Sequence, residues 1–356
     1  MKVATILTTV AVIFLSGCAT IGPQTIPRDR FDYNTAIADS WKEQTLLNIV
    51  KIRYADMPLF VEVASVVSGY SLESAMNIGG NVVDGSGLQG DFLSLGASGK
   101  FTDRPTITYA PITGAKFNES FMTPIPPKIL FSLLQSGWPA QNYFPIVLNA
   151  VNGLKNRIAA GKQARAADPG FYRVITLLDE IHASGNASLR VVKEDDKETT
   201  LLMLSRDDIT SETREAISEL EKLLKIAPGS EQLKVTYGII PEKDQEIAMQ
   251  TRSMLQIMVA LAMQVVAPPE HVESGRTIPT LLPPESDETK IGHINIQTTG
   301  DKPKDAFVAA KYRDRWFWVD DHDFNSKRIF TFLMILFSLT ESGGKGGLPM
   351  VTISAG

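Results

Sequence analysis

Tyr70-Ser71-Leu72-Glu73-Ser74-Ala75-Met76-Asn77-Ile78-Gly79-Gly80-Asn81-Val82 alternates, residue by residue, between a mostly apolar set and a mostly polar one. Tyr70, Leu72, Met76, Ile78 and Val82 fall in the first set; Ser71, Glu73, Asn77 and Asn81 fall in the second. A period of two is the pattern of a strand with one buried or lipid-facing side. After the glycine-rich stretch Asp84-Gly85-Ser86-Gly87 and Gly90-Asp91, the alternation returns: Leu93, Leu95, Ala97, Gly99 and Phe101 interleave with Ser94, Gly96, Ser98 and Lys100. Two such runs around a glycine-rich turn predict a β-hairpin with one apolar face.

Each arm of about ten to thirteen residues exceeds the common strand length of ~5–6. Two readings follow. The hairpin is part of an antiparallel sheet packed on one side, or it enters a membrane, where spanning strands of ~9–11 residues carry this alternation. In the second reading Tyr70, Leu72, Met76, Ile78, Leu93, Leu95 and Phe101 form the membrane face, with Tyr70 and Phe101 as aromatic residues near the open end.

Outward from the hairpin the chain reads as ordinary globular sequence, 44% hydrophobic and 21% charged. Its net charge of −5, with no clustered basic patch, argues against nucleic acid as a partner. Met254–Ala267 and Ile329–Leu339 are the longest apolar runs of the body, too short to cross a bilayer and expected as buried helices.

At the N-terminus, Lys2 precedes the uncharged, mostly apolar run Val3 to Phe14. Twelve helical residues reach only ~18 Å, so the run reads as a signal-peptide core rather than a membrane span. Leu15-Ser16-Gly17-Cys18 follows. It resembles the lipobox of bacterial lipoproteins, a type II signal peptide. That resemblance implies cleavage before Cys18, acylation of its thiol and new amino group (palmitate among the acyl chains), and a membrane anchor at the mature N-terminus. Several acyl chains hold stably where one is marginal. Ala19, where inner-membrane lipoproteins of the enterobacterial type usually carry aspartate, implies the outer membrane, facing the periplasm. Cys18 is the sole cysteine, so no disulfide framework is expected.

The expected organisation is a signal at 1–17, a tether at 18–30, an N-terminal helical and hairpin region at 31–160 and a C-terminal α+β region at 171–356, with 159–170 as the boundary. Ser40-Trp41-Lys42-Glu43 reads as a capping box opening a helix that Pro58 ends. A short strand is expected at Thr106–Tyr109, and helices at Lys128–Gln135, Phe144–Arg157, Phe171–Ala183, Ser211–Ala227, Glu242–Val266 and Ser326–Thr340. Glu221 and Lys225 are spaced to pair within the fourth of these six helices. Strands are expected at Leu189–Lys193, Thr200–Leu204, Leu233–Tyr237 and Ile291–Gln297, and a hairpin at Phe307–Tyr312 with Arg315–Val319. Helices mixed with antiparallel hairpins make the fold class α+β.

No standard catalytic signature is present. Ala97-Ser98-Gly99-Lys100 and Gly343-Gly344-Lys345-Gly346 lack the Ser or Thr a P-loop requires after its lysine, and there is no G-x-S-x-G or H-E-x-x-H. The densest polar cluster is Asp320-Asp321-His322-Asp323. It could hold a hard metal or do acid–base work; the simpler reading is the loop before a helix whose N-terminus welcomes negative charge, capped by Asn325 or Ser326. Met249, Met254, Met258 and Met263 scatter around one helix and read as core. No motif calls for a cofactor or a metal.

Phe31-Asp32-Tyr33, Leu134-Gln135-Ser136-Gly137-Trp138-Pro139 and Trp316-Phe317-Trp318-Val319-Asp320-Asp321 are similar to stretches of an uncharacterised Gram-negative lipoprotein family, which implies no activity. The curli-secretion channels, acylated lipoproteins whose hairpins build one shared barrel, offer an architectural parallel without a shared motif. The leading expectation is therefore a non-catalytic outer-membrane lipoprotein that binds a protein or envelope component from the periplasmic side. The alternatives are a homo-oligomeric channel built from one 70–101 hairpin per subunit, and an envelope hydrolase or metal-binding protein using residues 320–323.

Overall fold

Val61 to Asn81 forms one 21-residue strand, β1, about 70 Å long at ~3.4 Å per residue. The computed structural model describes residues 26–81, 92–158, 165–194, 197–280, 292–341 and 350–354; the lipobox with Cys18 lies outside them, as does the hairpin turn. Phe92–Asp103 (β2) and Thr106–Pro111 (β3) both run antiparallel to β1. Tyr70 faces Asp103 and Val67 faces Thr106, three residues farther along each arm, so β2 and β3 continue one register. The expected separate strand at 106–109 is thus the same return arm, interrupted at Arg104-Pro105, where proline has no N–H to give the ladder. A bulge between Val63 and Ser65 shifts the register beyond that point. The arm begins nine residues earlier than the alternation from Tyr70 indicated, because Val61 to Val67, with Glu62 and Ser65 between the aliphatic residues, keeps no strict period of two. Met350–Ser354 pairs parallel with Ser65 to Gly69, and Phe60, Val66 and Ile112 are buried in this unit. These strands, within 59–112 plus 350–354, form one of two compact units.

The other unit holds the remaining described residues. Helix α1, Ile26–Arg53, takes in the last residues of the expected tether and runs through Ser40, which opens no helix. Leu46, Ile49, Val50 and Arg53, at helical spacing, are buried, whereas residues 30–40 are largely exposed. The helix ends at Arg53, before Pro58.

A six-stranded sheet crosses the expected boundary at 159–170. Its order is β5-β4-β9-β8-β7-β6, from Leu148–Val151 (β4), Leu154–Lys155 (β5), Ala187–Glu194 (β6), Lys197–Leu204 (β7), Gln232–Tyr237 (β8) and Glu246–Thr251 (β9). Only β8 and β9 pair in parallel. The helix expected over 144–157 is a single turn, Phe144–Val147, followed by the β4–β5 hairpin. Asn152-Gly153 makes its turn, with positive φ of 43° and 84°, the conformation this dipeptide favours. Asn152 also ties the sheet to its surroundings: its amide donates to the Leu224 and Glu246 carbonyls at 2.9 and 3.1 Å and accepts the Ala248 N–H at 2.7 Å.

The helices Pro127–Gln135 (α2), Phe171–Ala183 (α3) and Ser211–Leu224 (α4) lie where the periodicity placed them. Residues 242–266 are not one helix: β9 gives way to Met254–Ala262 (α5), which Ser253 and Gln256 open with a reciprocal capping box. Met249 therefore sits on a strand, Met254 and Met258 are buried on α5, and Arg53 Nη1 approaches Met263 Sδ at 3.8 Å. Pro269–Glu273 (α6) follows. A three-stranded sheet, order β10-β12-β11, is made by Gln297–Thr299 (β10), Ala306–Tyr312 (β11) and Arg315–Asp320 (β12). Helix α1 packs on β11 and β12, and Phe324–Glu341 (α7) packs on β12. The class is α+β.

Candidate functional site

The acidic cluster begins at the last residue of β12, and each of its three carboxylates is engaged by the loop or the helix after it. Asp320 Oδ1 accepts the backbone N–H of His322 at 2.9 Å and lies 3.1 Å from its Nδ1. Those bonds, the backbone one first, hold the Asp320 carboxyl below its usual range. Asp321 pairs with Lys327 at 2.7 Å. Asp323 caps α7: one carboxylate oxygen accepts the Ser326 N–H at 3.0 Å and the other its hydroxyl at 2.7 Å. The cap expected at Asn325 or Ser326 thus comes from Asp323, while the Asn325 amide donates to the His293 carbonyl. Asp320 and His322 border an open cleft of 430 Å³ with Asp301, Lys304 and Asp305. Among the described residues no group of three or more His, Cys, Asp or Glu side chains is placed to hold a metal ion.

Of the other histidines, His271 is buried against Tyr54. His182 lies in the last turn of α3, whose neighbouring Glu180 pairs with Arg173 at 3.1 Å. His293 is half-buried; burial, then the Arg157 charge, pull its pKa down. Glu221 does not pair with Lys225, which ends α4 in the left-handed region. It turns to Arg206 at 2.5 Å and accepts the Gly229 N–H at 2.9 Å.

The distal half of the hairpin has a different character. Twelve consecutive positions pair, from Tyr70 opposite Asp103 to Asn81 opposite Phe92. Opposite residues share a face. Leu72 therefore shares one with Phe101, Met76 with Ala97, Ile78 with Leu95 and Gly80 with Leu93, as the alternation predicted. On the other face Glu73 stands opposite Lys100, Ala75 opposite Ser98 and Asn77 opposite Gly96, and all six are exposed. Tyr70 and Phe101 are displaced by two positions and do not face each other. Among the described residues no strand pairs with the outer edge of β2, nor with the edge of residues 70–81 that faces away from β2.

A two-stranded ribbon is marginal in water by itself, and unpaired edges are templates for another strand. Twelve residues span about 40 Å along the strand; tilted by ~35–45°, as in membrane barrels, they cross a ~30 Å hydrocarbon layer. Among the described residues no helix is long and apolar enough to cross a membrane. No protein-family model, no curated protein and no solved structure matches this chain.

Proposed function

We propose that this chain is an outer-membrane lipoprotein, held through acylated Cys18 with its α+β body facing the periplasm, whose β1–β2 ribbon joins those of further copies in a shared membrane barrel. The observation that carries this reading is the ribbon itself: a twelve-position register, an exposed polar face and two long edges with no strand partner among the described residues. In a closed ring each edge finds its neighbour's, which removes the edge problem, and lipid covers the alternating set that includes Leu72, Ile78 and Leu95. The Glu73 and Lys100 side then lines the lumen. One hairpin supplies two strands, so even a barrel of ~8 strands takes four copies. No catalytic role is proposed for Asp320, Asp321, His322 or Asp323, because capping and loop bonds account for those groups.

The test is the size of the full-length acylated protein in detergent, by light scattering and electron microscopy, with conductance after reconstitution into bilayers. Rings of at least four copies that carry current support the barrel. A strictly monomeric protein returns the reading to a lipid-anchored, non-catalytic binding protein.

A further inference from the structure

Arg252, immediately before the capping box of α5, carries a charge that no carboxylate among the described residues neutralises. Its Nε donates to Asn149 Oδ1 and its Nη1 to the Ile146 carbonyl, each at 2.8 Å. Nη2 has no acceptor among the described residues. Burial, and then the neighbouring Arg157 charge, lower its pKa to about 10, so the guanidinium stays protonated at neutral pH. A partly buried guanidinium with only neutral hydrogen-bond partners is favoured by the approach of an anion.

Both arginines border a 360 Å³ cavity within the α+β unit. Its other walls are largely apolar: Pro145 from the turn before β4, Ile158 after β5, and Leu255 and Val259 on successive turns of α5. Val259 and Ile158 are 38% and 42% exposed, so the aliphatic part of the lining is open to a ligand. A cavity of this size sits at the lower end of the ~300–1,000 Å³ range of small-molecule sites.

We infer that this cavity binds a small organic carboxylate, its anionic end on Arg252 and its apolar body against Leu255 and Val259. The guanidinium edge fixes the charge at one end, and the aliphatic side chains along α5 remove the body from water. This inference does not depend on the hairpin or on how many copies assemble.

Hexanoate is the probe, with inorganic phosphate testing charge alone and 1-hexanol testing the apolar body alone, measured by calorimetry on the full-length protein in a maltoside detergent. Saturable hexanoate binding is expected, at least about tenfold tighter than phosphate or hexanol, and weakened at least about tenfold by Arg252→Gln. Because Arg252 also bonds Asn149 and Ile146, its variant can disturb the fold. Val259→Asp, at a part-exposed position, provides the second test and is expected to abolish hexanoate binding with the melting temperature retained. No hexanoate binding, equal binding by phosphate or hexanol, or hexanoate affinity unchanged in Val259→Asp or in folded Arg252→Gln overturns the inference.

Discussion

Tyr54 Oη lies 2.6 Å from His271 Nδ1, joining the end of α1 to α6 inside the body. Burial, the largest influence on both, pushes the Tyr54 hydroxyl up to about 12 and the His271 imidazole below its ordinary value. Both are neutral near pH 7, and we assign the shared hydrogen to the tyrosine. A histidine whose folded pKa is depressed contributes stability above its unfolded pKa of ~6.5 and loses it as pH falls through the folded value. Stability in urea is therefore expected to hold from pH 8 to 7 and decline below about 6.5. His271→Phe should flatten that decline in part, His293 supplying the rest. An unchanged acid slope in His271→Phe contradicts the assignment. Tyr54→Phe, which strands the buried imidazole nitrogen, should cost about 1–3 kcal/mol.

The acidic loop separates capping from surface pairing. Asp323→Ala removes two bonds to Ser326 and should lower stability by about 1 kcal/mol. Asp321 is itself exposed, so Asp321→Ala, which loses its pair with Lys327, should stay within about 0.5 kcal/mol. Urea titration of the two variants measures both. The opposite ranking would mean that Asp323 is not the α7 cap.

Two glutamates on α4 offer a matched contrast. Glu221 is buried, bonded to Arg206 and the Gly229 N–H; Glu219 is half-exposed against Arg173. Glu221→Ala leaves an arginine without its counter-charge and is expected to cost about 3–5 kcal/mol. Glu219→Ala should cost less than about 1 kcal/mol. Equal losses would show that burial does not set the strength of these pairs.

On the ribbon, Glu73 and Lys100 stand directly opposite, and such opposite-charge pairs contribute about 0.2–1 kcal/mol. Lys100→Glu should shift the detergent-extracted protein towards smaller species, and adding Glu73→Lys should restore the wild-type distribution. An oligomer distribution indifferent to both changes would remove the ribbon from the interface.

Anchoring has its own readout. Metabolic labelling with an alkyne-bearing palmitate analogue should mark the wild-type chain and leave Cys18→Ser unlabelled. Label retained in the serine variant would place the acyl chain elsewhere and end the lipobox reading.

The hairpin was legible because its alternation recurs in two neighbouring runs, and opposite positions in a hairpin inherit each other's face. The same test failed where a segment is buried on both sides. Glu246–Thr251 is enclosed almost throughout and has no alternation, so its apolar run merged with α5 into one apparent helix. Leu148–Val151 failed likewise, although Asn152-Gly153 was the local sign of a turn. Ser253-x-x-Gln256 was an equally visible sign of where α5 begins.

The sequence by itself determined what depends on neighbours along the chain: the α+β class, the amphipathic helices, the two-faced ribbon and the expectation of an anchor at Cys18. Only the tertiary structure decided what depends on residues far apart. Pairing joined β2 and β3 into one arm along β1, and the Asn152 amide reached the distant Leu224 and Glu246 carbonyls. Folding brought Arg157 and Arg252, ninety-five positions apart, to the lining of one cavity. Periodicity records which side of an element meets a core or a membrane. It holds no record of which distant charge lies opposite, because that follows from how the elements pack.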